Sequence, residues 1–374
     1  VFDACFQCKL CEVQCPYTER DSHEFRLDFP KLVHRYRAQK TRHKGVGRRE
    51  RLLGDPDRTA RLARISRGLV DAFNQRSRLY RLLLGRLAGI HPDKDLPRFV
   101  SHTFTNWATS KGLVKDPTDG EAVLFPTCYV EHNEPGIGRD TIAVLTRNGI
   151  DLTCEKGLVC CGMPAWESGD LQTLRTKAKT NLDRLEPHVS VGKTVVAINP
   201  TCSMMLRQEY PQLVDPPDRD RAKALAAATV DPSEYLWSIR NEKRFDTDFA
   251  STPGTVSYHT PCHLRSQAVG FKGRDLLRMI PGVKPATTME CCGHDGTFAM
   301  RTEGFEVSVR IGRKAFESMA ETDAEVWATD CPLAALQFAQ HTGRRPMHPM
   351  SILALAYQQD GFPTPVESPG PGQD

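Results

Sequence analysis

The chain has 374 residues, which at about 150 residues per domain sets an expectation of two or three domains. Hydrophobic residues make up 39% and charged residues 26%, so sizeable cores can be buried and global disorder is excluded. The net charge of +4 is mild, no run approaches the roughly 18 apolar residues of a membrane span, and the opening residues do not read as a secretory leader. The informative count is 13 cysteines. They are too sparse for a disulfide scaffold and too clustered for scattered core thiols. The expected compartment is a reducing cytoplasm, where clustered cysteine points to metal or redox chemistry. Val1 stands where a methionine would, and either a missing upstream piece or a non-standard start codon would account for it.

The first motif opens the chain: Cys5-x2-Cys8-x2-Cys11-x3-Cys15-Pro16. These short spacings wrap one loop around a [4Fe–4S] cube, and the proline turns the chain away. Zinc ribbons use two separated C-x2-C pairs instead. In two-cluster ferredoxins the fourth cysteine of such a run serves the other cluster, and no second run is present here. Cys15 therefore belongs either to one cluster held by all four thiols or to a cluster whose other ligands lie upstream.

Residues 31–68 carry thirteen Lys and Arg against three acids, a local charge of +10. Residues 70–90 read as an amphipathic helix with Leu79, Leu82, Leu83 and Leu87 on one side. Aromatic interleaving is poor and no recognition motif appears, so no nucleic-acid partner is expected. A solvated face is the default for such a run; next to the leucines, an anionic membrane surface is the alternative. Strand signals are few before residue 120, and 1–118 reads as mainly helical.

From 121 the texture changes. Glu121–Phe125 is a short buried strand running into Pro126-Thr-Cys128. A helix at 137–149, a strand near 151–154, Cys160-Cys161-Gly162, a long helix and the strand Thr194–Asn199 lead to Pro200-Thr-Cys202. The same order then returns. Val256–Thr260 leads to Pro261-Cys262, then come Cys291-Cys292-Gly293, a helix at 304–320, and a strand at 324–330 ending in Cys331-Pro332. Matching cysteines are offset by 134, 131 and 129 residues, the mark of an internal duplication. Alternating strands and helices predict parallel sheets, with the cysteines just past the C-terminal strand ends where ligands bind.

Each repeat thus offers four thiols: Cys128, Cys160, Cys161 and Cys202, then Cys262, Cys291, Cys292 and Cys331. Adjacent cysteines rarely pair with each other, but a glycine-aided turn can present both to one cluster. Cys154 is left over and reads as a core thiol. His259 and His263 flank Cys262, and His294 and Asp295 follow the second Cys-Cys-Gly; they are candidates for ligating, hydrogen-bonding sulfur or moving protons with the electrons, against a default of orienting or solvated side chains. Gly136-Ile-Gly138 is a weak dinucleotide fingerprint, since position 141 is threonine.

Cys8-Lys-Leu-Cys11-Glu-Val-Gln-Cys15-Pro16, Cys160-Cys-Gly-Met-Pro164, Pro200-Thr-Cys202, Tyr258-His-Thr-Pro-Cys-His263, Cys291-Cys-Gly293 and Thr329-Asp-Cys331 together carry a resemblance. The chain resembles the family of the C subunit of anaerobic glycerol-3-phosphate dehydrogenase and, more broadly, the heterodisulfide-reductase-related iron–sulfur proteins with cysteine-rich CCG domains. The resemblance implies an α/β fold: a helical ferredoxin-type [4Fe–4S] region at 1–118, CCG domains at 119–250 and 251–360, each with a short parallel sheet, and a loose tail at 361–374. It implies a [4Fe–4S] cluster at the first motif and further iron–sulfur clusters in each CCG domain. It also implies electron transfer between a flavoprotein dehydrogenase, or another redox protein, and quinone or a thiol/disulfide couple. The expected place is the cytoplasm, peripheral on the inner face of the membrane. The full CCG signature ends in C-x2-C, and Met205 and Ala334 stand where its last cysteine would be. Ordinary four-thiolate clusters therefore fit the count better than five-cysteine ones. The rival reading is a catalytic thiol–disulfide reductase component, and the third is a zinc-stabilised scaffold.

Overall fold

The computed structural model describes residues 2–66 and 77–365. Before the first strand the described chain is helical, with helices at Leu10–Gln14, Phe29–Lys44, Arg48–Leu53, Pro56–Ile65, Arg78–Ala88 and Phe104–Ser110. Local chemistry starts them. Asp28 accepts from the Lys31 N–H with Pro30 in the first turn, and Asp55 accepts from Arg58 with Pro56. Ser77 caps Arg78–Ala88, and Gly89 ends it in the left-handed conformation. The first part of the predicted 70–90 helix, 70–76, lies outside the described residues.

Two parallel sheets follow. In the first, β1 (Ala122–Phe125) lies between β2 (Leu152–Cys154) and β3 (Thr194–Ala197), and β4 (Thr229–Val230) extends the β3 edge. Ala122 is paired with both Leu152 and Thr194. β5 (Ser251–Thr252) forms a two-residue antiparallel clip with β9 (Thr364–Pro365). In the second sheet, β6 (Val256–His259) lies between β7 (Ala286–Thr288) and β8 (Val326–Thr329). The orders β2-β1-β3 and β7-β6-β8 are the same arrangement twice, as the cysteine offsets require. β1 and β6 are buried along their whole length, which is why β1 reads as an apolar run without alternation.

Two differences from the sequence expectation have plain causes. The strand predicted to reach Asn199 stops at Ala197, because the Asn199 side chain turns back to accept from the Thr201 N–H and cap the helix Pro200–Met204. β4 and β7 leave no apolar signature in the sequence: they have two and three residues, and Ala286 is exposed.

The two sheets do not keep separate interiors. Leu124, Val196 and Ile198 of the first share one buried cluster with Val256, Tyr258 and Ala328 of the second. The helices Pro135–Arg147 and Pro349–Ala356 pack together and carry that cluster across. At the start of the first of these, a Cβ on Gly138 would lie 2.5 Å from the Phe104 ring, so Gly138 serves close packing, while Gly136 faces open space.

The N-terminal region is tied to the first sheet's domain by backbone. Arg37 donates to the Glu167 carbonyl at 3.0 Å and to the Cys5 carbonyl at 2.5 Å, and Thr41 donates to the Ser168 carbonyl at 2.6 Å. Gly169, with φ of +74°, permits this approach: a Cβ there would sit 2.4 Å from the Arg37 carbonyl carbon. Gly169→Ala is expected to cost about 1–3 kcal/mol through the left-handed backbone alone, with the overlap added, read as a lower urea-unfolding midpoint.

A cysteine-lined cavity as candidate functional site

Every cysteine of the two repeats follows the C-terminal end of a parallel strand. Cys128 follows β1, Cys202 follows β3, Cys262 follows β6 and Cys331 follows β8, while the adjacent pairs sit in the loops after β2 and β7. Parallel strands all end on one edge, so thiols placed at strand ends converge. The structure goes further than the expectation of two separate quartets: all eight line one cavity of about 360 Å³, joined by Cys8 of the N-terminal motif. Cys5, Cys11 and Cys15 lie outside that lining, and Cys11 is exposed. No disulfide joins any of the thirteen cysteines.

The N-terminal loop is shaped by Gln7 and Lys9, both at positive φ. The Cys5 sulfur accepts from the Gln7 N–H at 3.4 Å. Lys9 is buried and donates to Glu209 at 2.8 Å and to Gln208 at 3.0 Å, which pins the loop to the first domain. His263 ties three regions together. Its Nε2–H donates to the Gln7 carbonyl at 3.2 Å and its Nδ1 accepts from the Thr201 hydroxyl at 2.9 Å. His259 is equally occupied, with Nε2–H toward the Glu290 carbonyl and Nδ1 toward Thr329, both at 3.1 Å. Burial drives each of these rings down to a pKa of about 4, so they orient loops as neutral groups. His294 differs. It opens onto the cavity, and burial lowers it to about 3.

The thiols feel their burial. Burial pushes Cys291 and Cys331 up to about 11 and raises Cys262 and Cys292 further. Cys160 is the exception: Cys128 and Cys161 hydrogen-bond to it and hold it below the ordinary thiol range. Cys8 acts on Cys262 and Cys291, and Cys202 acts on Cys331. The order in space is therefore N-terminal motif, second quartet, first quartet. Among the described residues no group of three or more His, Cys, Asp or Glu is drawn together as around a single ion. A soft, many-thiol wall suits a polynuclear thiolate-bound group, because ligation supplies the cation that buried thiolates need.

Met205 is fully buried in the core, while Ala334 borders the cavity. Cys154 is buried in β2, in the core shared by the two sheets and away from the cavity lining, its thiol pushed up to about 12 by burial.

Glu167, in the helix Met163–Ser168, carried no motif in the sequence, whereas Asp295 follows the second Cys-Cys-Gly; both open onto the cavity, and burial raises both carboxyls. Asp57 accepts from the Cys160 N–H at 2.9 Å, from Lys177 at 2.8 Å and faces His132 at 3.3 Å. Its only sequence signal is being one of three acids in the basic stretch. That stretch is not wholly a solvated face, since Arg37 is spent on loop carbonyls and Arg49 pairs with Glu303 at 2.6 Å.

With this geometry in hand, comparison with known proteins gives a consistent picture. The family model of the CCG cysteine-rich domain matches twice, at residues 122–207 and 256–339. The C subunit of anaerobic glycerol-3-phosphate dehydrogenase from Escherichia coli (strain K12) is 30% identical over 278 residues, 74% of this chain and 69% of the relative. Lactate utilization protein A of Bacillus pumilus is 31% identical over 56% of this chain and 86% of its own. The B subunit of fumarate reductase (CoM/CoB) from Methanothermobacter marburgensis is 25% identical over 63% and 46%. The chain belongs to the family of CCG cysteine-rich-domain proteins that includes the anaerobic glycerol-3-phosphate dehydrogenase C subunit.

Burial opposes the Asp57 carboxylate, but His132, Lys177 and the Cys160 N–H outweigh it and hold its carboxyl well below the ordinary 3.8. A lowered acid stabilises the fold fully above its unfolded value and loses that contribution as pH falls below it. Asp57→Ala leaves Lys177 to Asp55 alone and removes the acceptor of the Cys160 N–H, and is expected to cost about 1–3 kcal/mol at pH 7. In urea unfolding the deficit against wild type should shrink below pH 4.

Proposed function

We propose that this chain is the iron–sulfur electron-transfer component of an oxidoreductase, passing electrons between a flavoprotein dehydrogenase or another redox protein and quinone or another acceptor. The observation that carries this reading is the convergence of eight repeat thiols and Cys8 on one apolar-walled cavity. The names of two relatives, one from a dehydrogenase and one from a reductase, agree with it. Cys5, Cys8, Cys11 and Cys15 are assigned to a [4Fe–4S] cluster, and each repeat quartet to a further one. Clusters held there supply one-electron carriers in series. The residues of the chain hold the order. Cys8 brings the first motif to the second quartet, Cys331 and Cys202 bring the two quartets together, and His263 fixes the three loops against one another. The thiol–disulfide reductase reading needs an open coordination site or a spare thiol, and Cys154, the one thiol outside the three quartets, lies in the core.

Three quartets predict about twelve irons, with matching acid-labile sulfide, in anaerobically reconstituted protein. A value near four leaves the repeat cysteines empty and removes the reading of the cavity; zinc without sulfide supports the scaffold. Cys331→Ser should lose a cluster or degrade it to three irons by EPR and iron content. Cys154→Ser should keep full iron at a packing cost of about 1 kcal/mol.

No helix among the described residues is long and apolar enough to cross a membrane. The helix Arg78–Ala88 instead exposes Leu79, Leu82, Leu83 and Leu87 beside Arg78 and Arg86. We assign this face to an anionic membrane surface, with each nearby Lys or Arg contributing about 1 kcal/mol of screenable attraction. Binding to anionic liposomes should weaken with salt and weaken further in Leu83→Glu/Leu87→Glu. Salt-independent binding, or none, returns the face to plain solvent exposure.

A further inference from the structure

The duplication provides an internal control. Behind the first Cys-Cys-Gly turn the N-terminal region places a carboxylate: Asp57 accepts from the Cys160 N–H and is matched by Lys177. Behind the second turn the same region places an ammonium. Lys94, in the loop after the helix Arg78–Ala88, is 1% exposed. Its Nζ donates to the Gln337 Oε1 at 2.5 Å, Gln337 Nε2 donates to the Ser308 hydroxyl at 3.0 Å, and that hydroxyl donates to the Gly293 carbonyl at 2.7 Å. This relay of hydrogen bonds ends on the residue after Cys292. Among the described residues no carboxylate lies within ion-pair distance of Lys94, and the negative groups acting on it are Asp95 and Cys292. Burial lowers its pKa to about 8, which leaves it mostly charged at neutral pH. A buried ammonium held by a neutral amide oxygen and no carboxylate is disfavoured, so its place calls for a negative charge nearby. Beside Cys291, Arg265 and the Asp295 carboxyl act in opposite directions, so Lys94 is the cation there that the chain leaves unopposed by an ion pair.

We propose that Lys94 is a positioning residue for redox poise: its charge is the counter-charge of the group held by Cys262, Cys291, Cys292 and Cys331, and raises that group's reduction potential. The proposal rests on the reading of the repeat quartets as cluster ligands. One-electron reduction adds one negative charge at this thiolate site and breaks no bond, and a fixed cation beside it favours the reduced state. The cation acting on Cys160 at the first site, Lys177, is instead neutralised by Asp55 and Asp57. The asymmetry makes the second site the better electron acceptor of the two. That site is the one Cys8 adjoins, so an electron arriving through the N-terminal motif meets it first.

The experiment is an EPR-monitored dithionite titration of the reconstituted full chain. The signal lost in Cys331→Ser belongs to the second site, and the signal lost in Cys202→Ser to the first. Lys94→Met should move the second site's midpoint to lower potential and leave the first site's in place, with iron content unchanged. Lys94→Arg should restore the wild-type midpoint. An unmoved second midpoint in an iron-replete Lys94→Met protein overturns the proposal while leaving the cluster assignment standing. A wild-type protein without any signal dependent on Cys331 overturns the cluster assignment and the proposal with it. If both midpoints move together in Lys94→Met, Lys94 acts on the whole cavity and the specific role is refuted.

Discussion

Parallel pairing imposes the constraint on which the site depends. When strands run the same way, every strand end falls on one edge, and a residue placed just after each end joins its counterparts there. β1, β2 and β3 deliver Cys128, the Cys160–Cys161 pair and Cys202 to one edge; β6, β7 and β8 deliver Cys262, the Cys291–Cys292 pair and Cys331 to another. The core shared through Leu124, Val196, Tyr258 and Ala328 fixes the two sheets relative to each other, so that both edges give onto one cavity. Without that shared core, two quartets would remain two unconnected sites.

The cavity is electrostatically demanding. Its apolar walls push most of its thiols up, so accumulated thiolate charge needs cations or hydrogen bonds to persist. The chain supplies some of these itself. Cys160 is stabilised by its neighbours, Lys9 holds the first loop against Glu209, and Asp57 fastens the first Cys-Cys-Gly turn through its backbone. The helical N-terminal region is thus more than a carrier for one motif. It contributes Asp57 to one repeat and Lys94 to the other, and a duplicated scaffold acquires two unlike halves.

The same region shows how far a basic composition can mislead. Thirteen cations in residues 31–68 look like a surface for an anionic partner. Arg37 instead organises loop carbonyls around Cys5 and Glu167, and Arg49 reaches Glu303 of the second domain. The leucines of Arg78–Ala88 remain exposed, as an amphipathic reading anticipates, while Leu84 of the same helix faces the cavity. One short helix therefore both closes the site and presents an apolar face outward.

By itself the sequence determined what depends on spacing along the chain. That includes the ferredoxin-type loop, the duplication, the parallel α/β character of both repeats, and the identity of the cysteines at the strand ends. Their offsets and flanking Pro and Gly residues are local facts, and parallel topology converts them directly into position. Tertiary structure decided what depends on the meeting of distant segments. The merging of two quartets around one cavity, the three-way role of His263, the burial of Lys94 beneath Gly293 and the exclusion of Cys154 from the site all join residues far apart along the chain. Side-chain type alone carried no record of those meetings: a buried lysine and a surface lysine are the same letter, and only packing distinguishes them.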